Sequence, residues 1–179
     1  ILADDMGLGK TTAAVIASLE SNARKILIVC PASLKINWQR EIENYTDRRI
    51  MLVEGRKWGS TFDYYIINYD ILKNFHSTDK SEDSDDYKLL INAGFELAIV
   101  DEAHYNSFRK IFQYYSGANI LGVTATPLSS NKALPLNDHY NKLLVGESIA
   151  SLIQGGYLSD AETFTYDVNL HGLKIGTNG

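Results

Sequence analysis

The sequence predicts an α/β fold in three layers, a mostly parallel sheet with helices on both faces. Three observations predict it. Short apolar runs recur at 26–30, 50–53, 64–68, 97–100 and 119–124, the form strands take when both faces are covered. Stretches with helical spacing lie between several of them, and that alternation implies parallel pairing through crossovers. Residues able to do chemistry follow the runs, where the carboxyl ends of parallel strands carry function. Gly9, Pro31, Asn68, Asp101 and Thr124 would then share one rim.

The chain has 179 residues, 45% of them hydrophobic and 22% charged, enough for one domain with a sizeable core. No apolar run reaches membrane-spanning length and no signal peptide is visible, so no membrane partner is expected. Cys30 is the only cysteine, which excludes an internal disulfide and fits an intracellular setting. It reads as a small buried residue at a strand end. A net charge of −5 argues mildly against a broad nucleic-acid footprint, although backbone amides and helix N-termini also hold phosphates.

In order, the chain opens on Ala3-Asp4-Asp5-Met6-Gly7-Leu8-Gly9-Lys10-Thr11-Thr12. Gly7 and Gly9 allow the backbone to curl round an anion. A helix beginning near Lys10 would aim its free amides and dipole at phosphates. Lys10 would reach the β- and γ-phosphates, and the Thr11 hydroxyl would ligate Mg²⁺. The strict glycine-rich pattern is incomplete, because Asp4 stands where its first glycine belongs. A glycine turn capping an exposed helix is the bland alternative.

After the run at 26–30, Pro31-Ala32-Ser33 breaks the strand and Ser33 is placed to cap a helix. Leu34, Trp38 and Ile42 share one helical face, so Trp38 reads as core packing. Strands follow at 50–53 and 64–68, and a short helix opens at 70–73. Residues 79–86 are expected to form an acidic exposed loop. Helices are expected at 87–93 and 107–115, a loop at 128–137, and a short amphipathic helix at 148–153 ended by Gly155-Gly156. Residues 162–168 alternate like a strand, and the tail reads as a linker.

Leu97-Ala98-Ile99-Val100 ends in Asp101-Glu102-Ala103-His104. Asp101 would hold Mg²⁺, and Glu102 would orient and deprotonate an attacking water. A strand followed by a solvated acidic turn is the competing reading. The phosphate loop and this acidic strand end, in this order, together point to one nucleotide pocket.

The set resembles the first RecA-like lobe of superfamily-two helicases and translocases, a P-loop NTPase fold. Met6-Gly7-Leu8-Gly9-Lys10-Thr11 after two acids is similar to the first motif of the Swi/Snf branch, in which Asp4 is expected. Cys30-Pro31-Ala32-Ser33-Leu34 with Asn37-Trp38 and Glu41 resembles the next motif, and Ile67-Asn68-Tyr69-Asp70 the one after. Asp101-Glu102-Ala103-His104 resembles a DEAH box, and Gly122-Val123-Thr124-Ala125-Thr126-Pro127 the coupling motif. Thr124-Ala125-Thr126-Pro127, and the stretch from Tyr140 to Leu158, look closer to bacterial and phage repair helicases and restriction motors.

The resemblance implies that Gly7, Leu8, Gly9, Lys10, Thr11 and Thr12 bind ATP, and that Thr11 and Asp101 hold Mg²⁺. Lys10, Asp101 and Glu102 would be catalytic. His104, Thr124 and Thr126 would couple hydrolysis to movement; without the resemblance, His104 reads as a surface histidine and Thr124 as an ordinary strand threonine. Pro31, Ser33, Asn37, Asn68 and Tyr69 are candidates for DNA-backbone contact. The implied function is the ATP-binding lobe of a DNA helicase or translocase. Partners would be duplex or single-stranded DNA and a second RecA-like lobe. A bacterial or phage source is favoured. Residues 1–168 would form the lobe, truncated at its start, and 169–179 a linker; such a fragment is expected to be nearly inactive alone. The alternatives are a nucleotide-gated DNA-binding module without motor action, and an RNA helicase. DNA stimulation of the ATPase separates the first, and competition between matched DNA and RNA the second.

Overall fold

The computed structural model describes residues 1–55, 59–75, 92–104, 115–127 and 136–159. The expectations for 79–86, 107–114, 162–168 and 169–179, and most of those for 87–93 and 128–137, lie outside them. The chain divides into two compact units, Ile1–Glu147 and Ser148–Gly179.

Seven strands are described in the first unit: β1 (Leu2–Ala3), β2 (Ile26–Cys30), β3 (Ile50–Leu52), β4 (Tyr64–Asn68), β5 (Leu97–Asp101), β6 (Asn119–Thr124) and β7 (Leu144–Val145). They form one sheet in the order β3-β4-β2-β5-β6-β1-β7. Every pairing is parallel. Among the described residues three helices accompany it: α1 (Lys10–Glu20), α2 (Lys35–Glu43) and α3 (Tyr69–Phe75).

The strands run apolar because both faces are covered. Ile26, Ile28 and Cys30 of β2 pack with Tyr64 and Ile66 of β4, Ile99 of β5, Ala14 and Val15 of α1, and Trp38 and Ile42 of α2. The intervening Leu27, Val29, Tyr65, Ile67, Ala98 and Val100 face the other way, against Leu72 of α3, Tyr115 and Tyr140. On that second side the ring of Phe95 stands edge-on to Tyr65 at 5.3 Å and to Tyr115 at 5.6 Å. Helices therefore cover both faces, the expected layering.

Register brings the strand ends level. Cys30 lies opposite Asn68, Asp101 opposite Val123, and Thr124 opposite Ala3. All strands point one way, so the residues after each end crowd a single rim.

Two local expectations differ. Ser33 lies within a 3-10 turn, Ala32–Leu34, and makes no capping hydrogen bond; Leu34 is the residue before α2. The tight turn after Pro31 leads directly into the helix without a side-chain cap. β1 and β7 have no counterpart among the expected strands. They pair with one another, where Leu2 meets Leu144 and Ala3 meets Val145, and β1 also pairs with β6.

In the second unit, α4 spans Ile149–Gln154. The Ser148 hydroxyl accepts from the Ser151 N–H at 3.1 Å, and Gly156 at φ 76° ends the helix. Serine cap and left-handed glycine are the sequence signals for those two ends.

Candidate functional site: the rim at the strand ends

The loop between β1 and α1 is shaped by Gly7 at φ 84° and Gly9 at φ 75°, left-handed positions that glycine adopts without a Cβ clash. Gly9 is the residue before α1, and no acid stands in the helix's first turn, so its positive end is left uncompensated for an anion. The Lys10 ammonium donates to the carbonyls of Asp4 and Asp5, each at 2.8 Å, which keeps its charge on the loop. Leu8 and Thr11 are half-buried. The Thr12 hydroxyl donates to the Glu41 carboxylate on α2.

Asp4 has a local task. Its Oδ1 accepts from the Gly146 N–H at 2.6 Å, which ties the loop to the chain just past β7. A Cβ on Gly146 would stand 2.5 Å from that oxygen. A glycine at position 4 has no side chain for this tie.

Asp101 closes β5 and is held through both oxygens. Oδ2 accepts from the Trp38 indole Nε1 at 2.9 Å, and Oδ1 from the Glu102 N–H at 3.0 Å. Burial raises its pKa above the ordinary aspartate value; those two hydrogen bonds and the Lys10 charge pull the other way. Nearby, burial pushes the Cys30 thiol up to about 12, with the Asp101 charge adding to the shift.

Glu102 takes φ 56°, a left-handed backbone that a glutamate seldom adopts. Strain of this kind gathers at functional sites. Its carboxylate is 39% exposed and lies 3.4 Å from His104 Nδ1. The same Nδ1 is 2.9 Å from the Thr124 hydroxyl, which also accepts from the Thr126 N–H at 3.1 Å. His104, Thr124 and Thr126 are therefore brought together, with the Thr124 side chain buried and Thr126 exposed.

Pro31 and Asn68 follow or end neighbouring strands in matched register. Ser33 and Asn37 are exposed there, Pro31 and Tyr69 half-exposed. Asn68 is only 8% exposed, so its side chain offers little surface.

Sequence reasoning left out three contacts: Trp38 with Asp101, Thr12 with Glu41, and Asp4 with Gly146. Only the first carries a signal, since a fully buried indole N–H needs an acceptor. Among the described residues no group of three or more His, Cys, Asp or Glu gathers as a metal cage. Thr11 and Asp101 offer oxygen donors of the kind that would hold a hard cation shared with phosphate oxygens and water. The loop amides and Lys10 suit the phosphates themselves. No helix among the described residues is long and apolar enough to cross a membrane.

The SNF2-related domain matches residues 1–145. The chain is 30% identical over 173 residues to the uncharacterized ATP-dependent helicase YqhH of Bacillus subtilis, covering 92% of this chain and 28% of that protein. It is 29% identical over 153 residues to the ISWI chromatin-remodeling complex ATPase ISW1 of Saccharomyces cerevisiae, covering 73% of this chain and 13% of that one. An uncharacterized ATP-dependent helicase of Mycoplasma pneumoniae is 28% identical over 154 residues, covering 76% and 14%. The chain thus spans less than a third of each relative. In fold it is similar to the type ISP restriction-modification enzyme LlaGI, solved as a nuclease-deletion mutant with a DNA substrate mimic: TM-score 0.54, 15% identity, 87% of this chain and 18% of that one. It is also similar to arterivirus nonstructural protein 10, a helicase solved with DNA: TM-score 0.51, 16% identity, 97% and 45%.

Proposed function

The chain belongs to the SNF2-related domain family, and from that premise we propose that it is the ATP-binding lobe of an ATP-dependent DNA helicase or translocase. The observation that carries this reading is register: Ala3, just before the phosphate loop, lies opposite Thr124 of β6, and Asp101 lies opposite Val123 of the same strand. The loop and the acidic strand end therefore flank one strand end, as a shared triphosphate requires.

In this reading Gly7, Leu8, Gly9, Lys10, Thr11 and Thr12 surround the phosphates of ATP. Thr11 and Asp101 flank Mg²⁺, which when bound neutralises charge on the phosphates. Glu102, strained and open to solvent, orients the attacking water and takes its proton. His104, Thr124 and Thr126 report the state of the site to the rest of the motor. Pro31, Ser33, Asn37, Asn68 and Tyr69 form the side toward the DNA backbone. Asp101-Glu102-Ala103-His104 acts as a DEAH box, and Thr124-Ala125-Thr126-Pro127 favours a bacterial or phage source and an intracellular setting. Residues 1–168 serve as the lobe and 169–179 lead to a second RecA-like lobe that supplies arginines to the transition state.

Two substitutions in the intact protein test this. Lys10→Ala should abolish nucleotide binding, since it removes the charge facing the phosphates. Glu102→Gln should still bind ATP while hydrolysis falls by about a hundredfold or more. Normal turnover in Glu102→Gln would make another residue the base. Turnover that ignores DNA would remove the motor.

A further inference from the structure

We propose that α2 is a rigid tie between the DNA side and the nucleotide site, with Trp38 and Glu41 as positioning residues; this rests on the nucleotide reading above.

The two residues sit three apart, on one face of the helix. Trp38 is 1% exposed and packed among Ala14, Ile28 and Ile99, so its ring has one orientation. Its Nε1 donates to Asp101 Oδ2 at 2.9 Å, and a hydrogen bond to an ionised oxygen in a shielded place is a strong one. The other oxygen is already held by the Glu102 N–H. Asp101 therefore cannot turn without breaking one bond or the other. Groups that orient a metal-binding carboxylate in this way usually set its affinity for the metal.

Less than a turn later Glu41 accepts the hydroxyl of Thr12, in the first turn of α1. One face of α2 thus holds both halves of the site, the acid on β5 and the phosphate helix. Asn37 stands one turn before Glu41 on the exposed flank of that face, and Ser33 is exposed in the turn before the helix. Nine residues make a helix about 13 Å long, short enough to move as one piece. A displacement at Ser33 or Asn37 then shifts Asp101 and the start of α1 together. This route runs on the opposite face of the sheet from Ala103 and Tyr140, and does not pass through His104 or Thr124.

The test uses the intact protein and a fluorescent ADP analogue, titrated with Mg²⁺ in the presence and absence of a duplex oligonucleotide. In Trp38→Phe, the Mg²⁺ needed for half-maximal analogue binding should rise by about tenfold, with metal-free binding unchanged. DNA should alter analogue affinity in the wild type. That factor should fall toward one in Trp38→Phe and Glu41→Ala, and survive in Glu41→Gln, which keeps an acceptor for Thr12. A wild-type Mg²⁺ requirement and a wild-type DNA effect in Trp38→Phe overturn the proposal. If Trp38→Phe fails to fold, the Glu41 pair decides, and a full DNA effect in Glu41→Ala overturns it. Asp101→Asn separates the two levels. Loss of Mg²⁺ dependence there with none in Trp38→Phe sinks only the tie, while no loss in Asp101→Asn sinks the nucleotide reading itself.

Discussion

His104 Nδ1 and Thr124 Oγ1 meet at 2.9 Å and join the turn after β5 to the end of β6. The hydroxyl has one proton to give. When Nδ1 carries its own proton, Thr124 accepts from the ring and is free to donate to the Thr126 carbonyl, 3.3 Å away. When Nδ1 is bare, the hydroxyl donates to the ring instead. The imidazole tautomer and the hold on Thr126 are therefore linked, and Glu102 lies 3.4 Å from the same nitrogen.

Thr124→Val keeps the shape of this buried side chain and removes its hydroxyl. The Thr126 N–H and the His104 ring then lose a partner, at a cost of about 1–3 kcal/mol. Thermal unfolding should show a lower midpoint, largely recovered in Thr124→Ser. In the intact protein, DNA stimulation of ATP hydrolysis should fall in Thr124→Val. A midpoint equal to wild type in the valine variant would mean that the hydroxyl is not part of a satisfied network.

Gly122→Ala should destabilise the lobe. A Cβ there would meet Tyr140 Oη at 2.6 Å and Ala103 Cβ at 2.8 Å. Tyr140 and Ala103 are buried, so neither can step aside freely, and Ala103 sits between Glu102 and His104. Overpacking of this kind costs about 1–3 kcal/mol. Urea unfolding measures it, and an unchanged midpoint would show that the ring yields without strain.

Asp101→Asn should stabilise the metal-free protein. Burial raises the folded-state pKa of Asp101, so the folded chain keeps this proton over a window where the unfolded chain has released it. The protonated acid contributes stability below the unfolded value, and that contribution is lost as pH rises through the folded one. At neutral pH the buried charge is a cost; asparagine can still accept from Trp38, while its amide NH2 replaces the oxygen that accepted from the Glu102 N–H and offsets part of the gain. A small net gain is expected, shrinking as pH is lowered toward the ordinary aspartate range. Melting curves without divalent cations, recorded across that range, check both sign and trend. A clear loss at neutral pH would contradict the argument.

Much of the architecture was legible in the chain. β2, β4, β5 and β6 announce themselves as apolar runs because a strand covered on both faces has no reason to alternate. Helix α1 follows from glycines before Lys10 and small formers after it, and the end of α4 from Gly155-Gly156. The family resemblance named the residues of the rim and, given parallel strands, their common edge.

Other features were decided only by tertiary structure. Leu144-Val145 is too short and too exposed to signal a strand; β1 makes it one. The partners of Asp4, Thr12 and Trp38 depend on which strands and helices end up side by side. Periodicity records which face of a segment is buried, because burial repeats along the segment. A single hydrogen bond between distant residues leaves no such repeat, so Trp38 was visible as core and invisible as the partner of Asp101.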